Sequence, residues 1–84
     1  MEGEGKRVDK LSDTPLTTQL ERIIRDAIES GELPPGEQLP TQAELVKLHG
    51  VSEATVRRAL ERLEKDGLIF GAQGRGWFVR RREP

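Results

Sequence analysis

The stretch VSEATVRRALERLEKDG, residues 51–67, places apolar side chains at Val56, Ala59, Leu60 and Leu63, the spacing of one buried stripe along a helix. Ser52 stands just before it as an N-cap and Gly67 just after it as a stop. With that stripe turned inward, Ser52, Glu53, Thr55, Arg57 and Arg58 are left near the exposed N-terminal end of the helix. Hydroxyls, free amides and arginines at a helix start suit the major groove of DNA, where the first two reach phosphates and arginine pairs with guanine edges. The same residues also fit a plain solvated surface, with Arg57 and Glu61 as an i,i+4 pair.

Working upstream, TQAELVKLHG (residues 41–50) sets Thr41 three positions before Glu44, the capping-box arrangement. A short helix carrying Ala43, Leu45, Val46 and Leu48 follows and stops at Gly50. Only Val51 separates Gly50 from Ser52, so the two helices must cross steeply, as in a helix-turn-helix. Before them, GELPPGEQLP (residues 31–40) holds three prolines and two glycines, predicting an extended connector that tucks Leu33 and Leu39 under the helices. Between Pro15 and Gly31, the residues Leu20, Ile23, Ile24, Ala27 and Ile28 mark a further amphipathic helix. Residues 1–13 have too few apolar side chains to repay ordering and read as a flexible arm.

Downstream, LIF (residues 68–70) and WFV (residues 77–79) are β-prone and flank GAQGRG. Its three glycines allow a tight or looped hairpin, and RRR follows at residues 80–82. The expected fold is mainly α with a small β-hairpin, a three-helix winged helix-turn-helix over residues 14–79, with residues 80–84 as a basic tail. An ordinary hairpin turn and a solubilising tail account for GAQGRG and RRR singly; their joint occurrence after a helix-turn-helix points to DNA.

Composition bounds the function. A chain of 84 residues forms one small domain with no room for a deep enzyme cleft. It has no cysteine and a single histidine, His49, so no disulfide, thiolate site or histidine metal cluster is expected, and no metal or cofactor. No nucleophile, base and orienting group suggest an active site, so no enzyme is expected. No apolar run approaches the roughly 18 residues of a membrane span, and the N-terminus is polar. A cytoplasmic protein without membrane contact is expected. The net charge of −1 hides an asymmetry: residues 1–42 hold 5 basic and 9 acidic side chains, net −4, and residues 43–84 hold 9 basic and 6 acidic, net +3. The positive half is the one containing the helix-turn-helix and hairpin. Near-neutrality overall suits an alternative, a winged helix that meets another protein.

The segments SGELPPGEQLP, GVSEATVRRAL and QGRGWFV, in this order and spacing, resemble the N-terminal DNA-binding domain of GntR-family bacterial transcription regulators. The resemblance runs from Thr14 to Val79. It implies a third helix in the major groove and a wing tip in the adjacent minor groove. By position it gives Ser52 and Thr55 contacts to phosphate or base and Arg57 contact to phosphate or guanine. It gives Gln73 and Gly74 entry to the minor groove, Arg75 a hold on the backbone, and Gln42 a phosphate contact. Many relatives carry arginine where this chain has Ala43 and Glu53. Glu53 then either accepts from a cytosine amino group or favours the helix dipole and stays clear of DNA. Trp77 replaces a small polar residue, as a core plug or as an exposed platform. The resemblance further implies a repressor acting on a palindromic operator of double-stranded DNA, a homodimer in the full-length protein through a C-terminal effector domain, and a mostly monomeric isolated domain. Either the chain is a fragment cut before that domain or it is a naturally short regulator.

Overall fold

A computed structural model describes residues 7–81. The chain runs α1 (Leu16–Ser30), α2 (Gln42–His49), α3 (Glu53–Lys65), β1 (Ile69–Ala72) and β2 (Gly76–Val79), the expected three helices and hairpin. The helix ends follow from their caps. Thr41 Oγ1 accepts from the Glu44 amide at 3.1 Å while the Glu44 carboxylate accepts from the Thr41 amide at 2.8 Å, so two otherwise orphaned donors are satisfied at the start of α2. At the other end Gly50 takes the left-handed conformation, φ 67°, and hands the chain to α3 within two residues. Ser52 caps α3 by accepting from the Thr55 amide at 3.1 Å.

One core joins every element. Leu20 and Ile24 of α1, Leu45 of α2 and Val56, Ala59, Leu60 and Leu63 of α3 are buried together with Val51 of the turn, Leu39 of the connector, Ile69 and Val79. The stripe read from the sequence is thus the buried face of α3. Ile23, Ala27 and Ile28 of α1 are only half-buried, and Leu48 of α2 is 53% exposed.

In two places the chain is more ordered than expected. The connector does not merely pass beneath the helices. Gly36 donates its amide to the Val79 carbonyl (2.9 Å), Val79 to Glu37 (2.8 Å) and Leu39 to Trp77 (2.8 Å), and Gln38 bridges Phe78 in antiparallel sense. The connector therefore acts as a third, short edge strand beside β2. The described part of the expected arm, residues 7–13, lies against α1: Val8 packs on the core, and the Asp9 amide donates to Gln19 Oε1 at 2.6 Å while Gln19 Nε2 donates back to the Asp9 carbonyl at 2.9 Å. The rest of the arm, residues 1–6, and the end of the tail, residues 82–84, lie outside the described residues.

Candidate nucleic-acid interface

The N-terminal end of α3 presents Ser52, Glu53, Arg57 and Arg58 to solvent. Thr55 departs from expectation. It is only 9% exposed, because it stands four residues before Ala59 and eight before Leu63 and so extends the buried row by one turn. Its hydroxyl accepts from the Ser52 hydroxyl at 3.1 Å, the same Ser52 oxygen that caps its amide. The two hydroxyls therefore form a local clasp that fixes the first turn of α3.

Two of the helix arginines, Arg25 and Arg62, are held by partners. Arg25 on α1 pairs with Asp66 at 2.6 Å and Glu21 at 2.8 Å. Those carboxylates, Asp66 first, raise its pKa above the ordinary arginine value. Arg62 on α3 reaches Glu21 at 3.5 Å and donates to Thr18 Oγ1 at 3.2 Å. These contacts tie α3 and the turn after it to α1, although such surface pairs contribute only about 0 to 1 kcal/mol each. Arg57 and Arg58, by contrast, have no ion pair among the described residues, and the i,i+4 pair of Arg57 with Glu61 does not form. Arg58 shares a helical row with Arg62 and so leans toward α1, whereas Arg57 lies off that row.

The hairpin pairs Ile69 with Val79, Phe70 with Phe78, Gly71 with Trp77 and Ala72 with Gly76. Its strands thus reach into the glycine-rich segment, and the loop is shorter than GAQGRG, only Gln73, Gly74 and Arg75. The Arg75 amide donates to the Ala72 carbonyl at 2.8 Å, closing a turn with Gln73 and Gly74 at its centre. Gly74 has φ 76°, the left-handed value that such a turn requires at its third position. A Cβ there would meet nothing within 4 Å, so glycine is needed for backbone conformation and not for clearance within the domain. Gln73, Gly74 and Arg75 are all exposed. Gln42, in the first turn of α2, is half-buried.

Of the two readings of Trp77, the packing one describes the fold: the side chain is half-buried against the core, its ring 3.5 Å from where a Gly71 Cβ would stand. The opposite face of the hairpin stacks Phe70 on Phe78, centroids 5.7 Å apart, with the Arg80 guanidinium 5.5 Å from the Phe70 ring centre. One residue escaped the sequence reading. Gln38 of the connector donates from Nε2 to the Arg75 carbonyl at 2.6 Å; neither periodicity nor a motif marks a connector side chain that reaches a hairpin far along the chain.

A tight helix-turn-helix followed by a hairpin with a basic tip defines the winged helix-turn-helix class. Residues 16–79 match the gntR family of bacterial regulatory proteins, and the chain belongs to that family. It is 44% identical over 69 residues to the uncharacterized HTH-type transcriptional regulator YurK of Bacillus subtilis (strain 168), covering 82% of this chain and 28% of that protein. To the HTH-type transcriptional repressor NagR of the same organism it is 38% identical over 72 residues, covering 86% of this chain and 30% of the other. Among solved structures, AraR(DBD) in complex with operator ORX1 is similar with a TM-score of 0.79 and 35% identity, covering 86% of this chain and 89% of that one. YtrA from Sulfolobus acidocaldarius, a GntR-family transcription factor, gives a TM-score of 0.84 and 34% identity, covering 94% and 83%. The chain spans less than a third of the length of each of these two curated relatives.

Proposed function

We propose that this domain binds double-stranded operator DNA in a sequence-specific way and serves a transcriptional repressor of the GntR type. The observation that carries the reading is the state of the arginines on α3: Arg62, at its C-terminal end, is held by Glu21 and Thr18 of α1, while Arg57 and Arg58 nearer its start are exposed and have no ion pair among the described residues. A charge held free on a rigid helix is available to a polyanion without first breaking a pair. In this reading α3 enters the major groove with Arg57 at a guanine edge or phosphate, and Ser52, Glu53 and Arg58 flank it. Gln42 takes a phosphate, and Gln73, Gly74 and Arg75 approach the adjacent minor groove. Thr55 contributes by holding Ser52. The domain performs no chemistry of its own and works in the cytoplasm without cofactor. A relative named a repressor and a structural neighbour seen with operator support it.

The test is selection of bound duplexes from a random pool, followed by affinity measured at several salt concentrations. Specific binding that weakens steeply with salt is expected. Binding that ignores salt, or captures no duplex above background, favours a protein-interaction module. Within the same assay Arg75→Ala lowers affinity and reduces the salt slope by about 1, as for the loss of one phosphate or groove cation; a slope equal to the parent's leaves the wing as scaffold.

Operator recognition by this family member is further proposed to use two copies on a palindrome, joined through sequence beyond this domain. Large exposed apolar side chains among the described residues are few, Leu11 in the N-terminal segment, Leu48 on α2 and Phe70 on β1. The isolated domain is expected to sediment as a monomer at micromolar concentration. Two tethered copies, docking about 34 Å apart on one face of the duplex, gain affinity because the second contact becomes intramolecular. A tight dimer of the free domain overturns this arrangement.

A further inference from the structure

We infer that Gln38 is a positioning residue for DNA recognition, bracing the wing tip from the connector; this rests on the reading of the wing as a DNA-contacting element. Gln38 lies in the edge strand that pairs with β2, flanked by the backbone bonds of Glu37 and Leu39 to Val79 and Trp77. Its main chain is therefore fixed, and its side chain leaves the strand toward the tip. There Nε2 donates to the carbonyl of Arg75 at 2.6 Å. The tip leaves room for it: a Cβ on Gly76 would stand 3.1 Å from that same nitrogen, close enough that the amide would have to give by a few tenths of an ångström, and the φ of 102° at Gly76 favours glycine there in any case. The bond thus joins a donor on an anchored strand to a tip whose backbone conformation, set by Gly74 and Gly76, leaves the acceptor within reach.

The consequence for recognition follows from where the bond ends. It holds the peptide group of Arg75, the charged residue of the tip, whose own amide already closes the turn on Ala72. With both sides of that residue tied, the place of its Cα and the direction in which its side chain leaves the backbone are set by the domain before DNA arrives. At the other end, three residues beyond Gln38, Thr41 caps α2, so the segment that braces the wing also delivers the first turn of α2 with Gln42. The helix-turn-helix and the wing are thereby held in one spatial relation, and the ordering that a free three-residue loop would require on binding is completed during folding.

The test compares the parent, Gln38→Met, Arg75→Ala and the double variant on duplexes selected by the parent. Methionine keeps the length of the side chain and removes its donor without adding charge, and because Gln38 is exposed the thermal midpoint is expected to stay close to the parent's. Affinity of Gln38→Met is expected to fall about threefold to tenfold, the scale of one hydrogen bond. In the Arg75→Ala background the same change is expected to have under about a twofold effect, because the main-chain bond to position 75 remains but the side chain it positions is gone. Independently of DNA, the Gly76 amide nitrogen, bonded to the Arg75 carbonyl carbon, is expected to shift its NMR resonance in Gln38→Met. Additive losses, an unchanged affinity, or an unmoved Gly76 resonance in a parent that binds DNA overturn the inference alone. A parent that shows no salt-dependent binding overturns the DNA reading and this inference with it.

Discussion

Leu60→Ala is expected to leave most of the domain unfolded at ordinary temperature. Leu60 is fully buried in the row where α3 meets the rest of the core, with Leu20, Leu63, Ile69 and Val79 also sealed from solvent. Truncating its isobutyl side chain to methyl forfeits transfer free energy and leaves a void, a loss of roughly 2 to 5 kcal/mol. A single core in a chain of this size supplies only about 3 to 5 kcal/mol net, so the loss is comparable to the whole. Thermal or urea unfolding followed by circular dichroism checks it. Leu48→Ala, at a position 53% exposed, serves as the contrast and should shift the midpoint little. A Leu60→Ala domain as stable as the parent means that the core has been assigned to the wrong face of α3.

The second large effect is on DNA. Arg57→Ala is expected to weaken binding to the selected duplex by about 1 to 3 kcal/mol if the side chain reads a base, relaxing preference at one position. Its fold should be intact, since Arg57 is exposed and makes no ion pair among the described residues. Arg62→Ala provides the matched control on the same helix. It breaks the contacts to Glu21 and Thr18, so it should lower stability by up to about 1 kcal/mol while leaving the sequence preference in place. Unchanged affinity and preference in Arg57→Ala, with an unchanged spectrum, remove Arg57 from the interface.

The helices were legible in the sequence because their limits are set by local chemistry. The capping box at Thr41 and Glu44, the Ser52 cap and the glycines after α1 and α2 act within a few residues of where they stand, and the apolar stripe of α3 needs only its own spacing. Thr55 is buried although its residue type suggests a polar face, because its spacing from Ala59 and Leu63 points inward; position on the helix outweighs polarity when a nearby hydroxyl can take up the polar atom. The edge strand of the connector was hidden for a different reason. Prolines discourage ladder formation, yet Pro35 and Pro40 leave Gly36 to Leu39 between them with amides free to donate, and the partner strand lies beyond two intervening helices. The exposure of Arg57, Arg58 and Arg75 is legible from charge and position, while the place of Gln38 depends on a contact that only the folded chain creates.

The bond from Leu39 to Trp77 also has a meaning for the order in which the molecule assembles. Everything from α2 to the tip of the hairpin lies between those two residues, so the pairing ties off a ring that contains the helix-turn-helix and the tip of the hairpin. Hairpin and helices can nucleate locally, but this closure must wait for both ends of a long chain segment to meet, and its entropic cost is recovered only when the interior of the ring is packed. The ring is therefore a late and cooperative event: once it is closed, the hairpin can swing away from the helices only by reopening a seam that the core itself holds shut.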